Sequence, residues 1–363
     1  MQKVQWIRAL AGCLALQVGT AVAVAQQPAA APAAGSQPST QPTPAAQPGA
    51  RGNILLGAKS WAYQLTNLGE EQQKRIANSN YDLVVVDYAW SPVAGQPEVP
   101  LTREQVSAMQ RKPDGGKRLI IAYLSIGETE NNRYYWQAGW NAKRPPWMGK
   151  ENKDWKGNYL VQYWQPVWQN IIFGNPQSYV DKIIAAGFDG FYLDRGDAYY
   201  FYGDTTQARD RMTDFMVRLI AYIRTKQPRA GILVQNAEEL LERPNYVEAI
   251  DGIAKEDLQY GIKHREELNK QAEIDWSTNL LVSAQKRGKA IFVVEYLQQP
   301  GNIDKAKAFM GQRNFVLYYG PRGLYEIMDP NAPPKPAAAA KSDSDPGPSK
   351  AKRIIRQIQG NKG

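Results

Sequence analysis

The segment Gly187-Phe188-Asp189-Gly190-Phe191-Tyr192-Leu193-Asp194 decides the fold. Gly187 follows the helix-patterned stretch 178–186, where a left-handed-tolerant residue ends a helix. Gly190 then opens a short aromatic and branched run, of the kind buried on both faces in a parallel sheet, and the run ends on a carboxylate. Comparable runs occupy 55–63, 81–88, 118–126, 190–194, 231–236, 252–256, 290–296 and 314–319. Helical patterns fall between them at 70–78, 103–111, 178–186, 206–226, 266–286 and 303–310. Alternating strands and helices force parallel pairing, and eight such units close most simply into a (β/α)8 TIM barrel. The 51–329 segment has about the right length, since such barrels take roughly 250 residues.

A parallel strand covered on both faces should be apolar to its end. These are not. They finish on Tyr63-Gln64, Asp87-Tyr88, Ser125 with Glu128, Asp194, Gln235-Asn236, Lys255-Glu256-Asp257, Glu295-Tyr296 and Tyr318-Tyr319. For one residue, a satisfied strand-end polar group is the simpler reading. A ring of them places carboxylates at the C-terminal mouth, where barrel enzymes carry out chemistry, and unpaired buried charges there would cost several kcal/mol each.

Two scarce residues narrow the chemistry. The chain holds one Cys, Cys13, and one His, His264. A single His rules out multi-His metal sites and makes metal-dependent deacetylation a poor fit. His264 lies in the charged run Lys263-His264-Arg265-Glu266-Glu267, which reads as a solvated helix face. Neither a phosphate-binding loop nor a dinucleotide fingerprint is present. No metal and no cofactor is expected, which leaves carboxylates and phenols.

The formal charge of +9 belongs to the ends. Residues 330–363 carry seven Lys/Arg against Asp343 and Asp345, and 1–50 adds Lys3 and Arg8. The body is close to neutral, so the charge does not point to nucleic acid. Residues 1–25 read as a secretory signal, with Lys3 and Arg8, an apolar stretch and the Ala23-Val24-Ala25 cleavage pattern. A secreted or periplasmic location follows as an expectation. Residues 26–50, rich in Ala, Pro and Gln, form a disordered linker, and 330–363 a disordered basic tail. The tail's functional reading is a weak contact with anionic envelope polymer.

The connection 129–175 is far longer than the usual few residues. It holds Trp136, Trp140, Trp147, Trp155, Trp164 and Trp168, six of ten tryptophans. About half should pack the insert onto the barrel, and the rest suit stacking on sugar rings beside the acidic mouth. Tyr199, Tyr200, Phe201 and Tyr202 extend the same rim. Carboxylates with aromatics point to glycoside hydrolysis, which needs an acid on the leaving oxygen and a carboxylate across the sugar ring.

Several stretches together resemble glycoside hydrolase family 114: Tyr63-Gln64-Leu65, the run from Ala122 to Glu130, Gly187 to Asp194 with Asp197-Ala198-Tyr199, Gly252 to Asp257, and Val294-Glu295-Tyr296. The resemblance spans about 55–320 and implies an endo-acting hydrolase of galactosamine-type polysaccharide. It implies Asp194 as nucleophile or base and Glu256 as general acid, with Glu295 as rival for the acid. Asp87, Tyr123, Glu128, Asp197, Tyr199, Asn236 and Glu295 would line the substrate cleft. One departure is Arg195-Gly196, where the family pattern has two apolar residues. Arg195 either holds Asp194 ionised or withdraws it into a structural ion pair. A different class of function, a non-catalytic polysaccharide-binding barrel, uses the same aromatics without turnover.

Overall fold

A computed structural model describes residues 52–91 and 98–328. The segments read as a secretory signal (1–25), a linker (26–50) and a basic tail (330–363) lie outside the described residues. Eight parallel strands form one sheet in sequence order. They are β1 (Trp61–Gln64), β2 (Leu83–Asp87), β3 (Leu119–Ser125), β4 (Gly190–Asp194), β5 (Gly231–Gln235), β6 (Gly252–Glu256), β7 (Ala290–Glu295) and β8 (Val316–Tyr319). Eight helices accompany them among the described residues: α1 (Glu70–Ala77), α2 (Arg103–Met109), α3 (Pro166–Ile172), α4 (Tyr179–Ala186), α5 (Thr206–Lys226), α6 (Pro244–Ala249), α7 (Gln271–Lys286) and α8 (Pro300–Gly311). The first and last strands meet through the Trp61 indole, whose Nε1 donates to the Val316 carbonyl at 2.9 Å. Its ring packs edge-on against Phe292 and Tyr318. The arrangement is a (β/α)8 barrel.

Two element starts move furthest from the sequence pattern, each for a local reason. The first strand begins at Trp61, not near 55, because Asn53 diverts the chain. Its side chain accepts from the Leu55 N–H at 3.0 Å and donates to the Asp251 carbonyl at 2.7 Å. Ile54–Gly57 therefore coil into a 3-10 turn, and Leu55 plugs the barrel bottom beneath Gly231. Helix α7 begins at Gln271 rather than 266. Glu266 has a left-handed φ of 56° and its carboxylate takes the Gln298 and Gln299 N–H groups just ahead of α8.

The long insert after β3 is a small domain-like appendage. Strands Glu128–Glu130, Asn158–Val161 and Met148–Glu151 make an antiparallel sheet, followed by α3. Its aromatics mostly hold one another. Tyr159, Trp136, Trp140, Trp147 and Trp168 form an unbroken chain of ring contacts, with centroids 5.2–5.5 Å apart. Trp164 packs on Tyr163 and Tyr202. The insert is thus stitched by five of its tryptophans, more than the half expected for packing. Trp155 is different, with 46% of its surface exposed.

Candidate active site

The strand ends converge on a cavity of about 610 Å³, within the usual range of ligand sites. Asp194, ending β4, and Glu256, ending β6, both line it. So do Asp87, Tyr123, Glu128, Asp197 and Asn236. Strand register explains part of this convergence: Asp87 pairs with Tyr123, and Ser125 with Asp194.

Asp194 is held by two neutral donors. The Arg195 backbone N–H reaches Oδ1 at 2.6 Å, and the Tyr123 hydroxyl reaches Oδ2 at 2.7 Å. Burial pushes its carboxyl up to about 7, the charges of Glu256 and Asp197 push the same way, and Arg195 and Tyr123 pull it back. Glu256 accepts from the Tyr296 hydroxyl at Oε1 and from Asn236 Nδ2 at Oε2, 3.3 Å. Asn236 returns the contact, its Oδ1 accepting the Glu256 backbone N–H at 3.1 Å. The two carboxyls therefore sit in one electrostatically coupled space.

The exits of three successive strands are strained. Arg195, Asn236 and Asp257, just after β4, β5 and β6, have φ values of 63°, 53° and 50°. Such left-handed residues gather at functional sites, where surrounding contacts enforce them. Here Gly127 is part of the enforcement: a Cβ on it would lie 2.4 Å from the Arg195 carbonyl oxygen. Only a bare backbone lets the β3 loop approach the turn that carries Asp194.

Arg195 does not withdraw Asp194. Its guanidinium goes to Glu128 at 2.7 Å and to Asp197 at 3.6 Å. Glu128 also accepts from Asn152 of the insert at 2.9 Å. Asp87 is gripped in the same manner by Arg133, through paired contacts of 2.7 and 2.8 Å. Arg133 also binds Glu130 at 2.6 Å and Glu98 at 3.2 Å. Burial raises the carboxyls of both Glu98 and Glu130.

Two expected cleft residues lie elsewhere. Glu295 is fully buried, and its carboxylate accepts the backbone N–H groups of Gln259 at 2.6 Å and Tyr260 at 3.3 Å. It fixes the loop after β6 and does not line the cavity. The next residue, Tyr296, takes the inward position and contacts Glu256. Tyr199 is also fully buried, donating its hydroxyl to Glu239 at 2.8 Å, with Tyr200 donating to the other oxygen. Tyr199 and Tyr200 thus support the loop after β5, Phe201 lies under the Arg195 guanidinium, Tyr202 packs on Trp164 of the insert, and none of the four lines the cavity. Sequence reasoning passed over Tyr296, Arg133, Arg322 and Lys156. Tyr296 sat in view beside Glu295, whereas the long-range pairing of Arg133 left no local trace.

Comparison with known proteins bears on the family and the fold. The model of glycoside-hydrolase family GH114 matches residues 35–327. An uncharacterized protein of Deinococcus radiodurans is 33% identical over 275 residues, covering 76% of this chain and 84% of the relative. The glycoside hydrolase domain of PelA from Pseudomonas aeruginosa superposes with a TM-score of 0.57 at 17% identity, covering 75% of this chain and 99% of that domain. Aspergillus fumigatus Ega3, in complex with galactosamine, superposes with a TM-score of 0.51 at 16% identity, covering 74% and 93%. With its barrel closed and carboxyls gathered at the C-terminal mouth, the chain belongs to glycoside-hydrolase family GH114 and is a glycoside hydrolase.

Proposed function

We propose that this glycoside hydrolase cuts internal bonds of an amino-sugar polysaccharide of galactosamine type, with Asp194 as nucleophile or base and Glu256 as general acid. The observation that carries the reading is the shared cavity, in which two coupled carboxyls face the same space. Asp194 is pinned in one orientation by the Arg195 N–H and the Tyr123 hydroxyl, as a group that must present a lone pair requires. When Glu256 carries the proton, its charge no longer opposes ionisation of Asp194. The pair then holds one proton, acid on one side and anion on the other. The galactosamine bound to Ega3 supports an amino sugar as substrate. Seven cavity carboxylates, against Arg133, Lys156, Arg195 and Arg322, suit a substrate bearing ammonium groups.

The secretory pattern at 1–25 supports export, and the basic tail supports a weak contact with anionic envelope polymer. The test is reducing-end release from galactosamine-type and neutral polysaccharides, with product sizes separating internal from terminal attack. Asp194→Asn and Glu256→Gln should each lose turnover by about 10²–10⁴-fold while still binding glycan. Turnover on neutral polymers alone would overturn the substrate assignment, and full activity in either variant would overturn the catalytic pair.

A further inference from the structure

The insert presents a tight turn at the cavity rim. Between strands Met148–Glu151 and Asn158–Val161 the chain reverses at 155–158, where the Asn158 N–H donates to the Trp155 carbonyl at 3.2 Å. Gly157 has a φ of 90°, the left-handed geometry such a turn needs at its third residue. A Cβ there would meet the Asn131 Oδ1 at 2.7 Å, and the Asn131 N–H donates to the Gly157 carbonyl at 2.9 Å. Glu151 Oε1 accepts the Gly157 N–H at 2.8 Å. Asn152, at the turn's base, is tied to Glu128, and Glu128 to Arg195. The turn is therefore docked rigidly against the strand exit that carries Asp194.

This turn points two unlike groups at the cavity, Trp155 and Lys156. The other insert tryptophans pack against aromatic neighbours, while Trp155 keeps 46% of its surface open to water. Arg133, Arg195 and Arg322 are all committed to carboxylates, at 2.7, 2.7 and 3.0 Å. Among the described residues, Lys156 makes no ion pair. The Trp155 indole and the Lys156 ammonium therefore both leave surface at the cavity rim open to a ligand.

We propose that the 155–158 turn is an outer sugar subsite: Trp155 stacks on a pyranose face, and Lys156 selects a residue without positive charge, such as an N-acetylated hexosamine. The proposal rests on the amino-sugar reading above and adds charge discrimination away from the bond that is cut. Preorganisation by Gly157 and Asn131 means that little ordering cost accompanies binding.

The experiment is calorimetric binding of galactosamine oligosaccharides, short and long, N-acetylated and de-N-acetylated, to the full chain carrying Glu256→Gln. Adding Trp155→Ala should weaken long oligosaccharides about tenfold and short ones little, since covering the exposed indole face involves several tens of Å² of apolar surface. Trp155→Tyr should keep most of the affinity. Lys156→Glu should shift the N-acetylated to de-N-acetylated preference by about fivefold toward the charged oligomer, within the range of exposed charge pairs. Equal losses for short and long ligands, or an unchanged preference in Lys156→Glu, would overturn the subsite. Trp155-dependent binding with no turnover of these oligosaccharides by the unmodified protein would instead sink the substrate assignment and leave the subsite standing.

Discussion

Replacing Tyr123 with Phe isolates the one side-chain donor to Asp194. The ring keeps its packing on Tyr192, 6.4 Å away, and only the hydroxyl at 2.7 Å from Oδ2 is lost. That bond favours the ionised form, so its loss raises the Asp194 carboxyl above its starting value of about 7. A hydrogen bond to a charged group contributes about 1.5–3 kcal/mol, and 1.36 kcal/mol corresponds to one pH unit, so the shift is about one to two units. A nucleophile or base must be ionised. The kcat/KM of the unmodified enzyme should therefore rise with pH through about 7, and that of the variant should rise through roughly 8–9. At pH 7 the ionised fraction falls from about one half to roughly 1–10%, a loss of about 5- to 50-fold, with recovery to within a few-fold above about pH 9. Reducing-end release measured over that range reads the limb directly. Activity that falls as pH rises through 7, and extends to higher pH in the variant, would show that Asp194 donates a proton and would reverse the two roles. An unmoved limb would show that the Tyr123 contact does not control the group at all.

Three further outcomes follow from the same electrostatics. Asp194→Asn should stabilise the fold at pH 8, where the native carboxylate is ionised against its surroundings, by up to about 4 kcal/mol, and should give no such gain below about pH 4, where the acid is protonated folded or unfolded. Urea melts at the two pH values check it; the amide fits, accepting the Arg195 N–H and donating to the Tyr123 oxygen. Arg133→Met strands Asp87, Glu98 and Glu130 and should cost about 3–5 kcal/mol at pH 8 and less at pH 5, where the raised carboxyls of Glu98 and Glu130 take up protons. Glu295→Gln sets an amide against the Gln259 and Tyr260 N–H groups, so it should lower stability by about 1–3 kcal/mol while leaving kcat of the folded enzyme within about twofold.

The barrel was legible because its signal is periodic and local. Each strand core shows as a short buried-type run, and Gly187 marks a helix end by its own backbone geometry, φ 86°. The pair we propose as catalytic stood out because a carboxylate at the end of a buried strand is chemically out of place. The remaining strand-end polar residues were harder to sort, because direction alternates with each residue. Along 294–296 the shift of a single position separates Glu295, turned to the backbone of the β6 loop, from Tyr296 in the cavity. Tyr199 misled for a different reason: its partner Glu239 lies 40 positions away, beyond any local pattern. The insert's tryptophans carried no sign of which would pack inward, since each has the same apolar ring; only the left-handed turn at Gly157 sets Trp155 apart.

The arginines explain how so acidic a mouth can exist in a folded protein. Arg133 serves Asp87, Glu98 and Glu130, Arg195 serves Glu128 and Asp197, and Arg322 serves Asp257. A buried carboxylate left without such a partner would cost more than a small domain's net stability allows to be repeated many times. Asp194 is treated differently: it receives a backbone amide and a phenol, and both guanidinium contacts of its neighbour Arg195 go elsewhere. A guanidinium bound directly to Asp194 would hold its charge and dull its basicity. Neutral donors fix its direction, and burial, offset in part by the nearby charge of Arg195 and by the Tyr123 hydroxyl, sets its carboxyl near 7, a value suited to the proposed role. The departure at Arg195 thus builds the wall of the cavity through Glu128 and Asp197, and because that arginine is occupied it makes no direct ion pair with Asp194, as the proposed role requires.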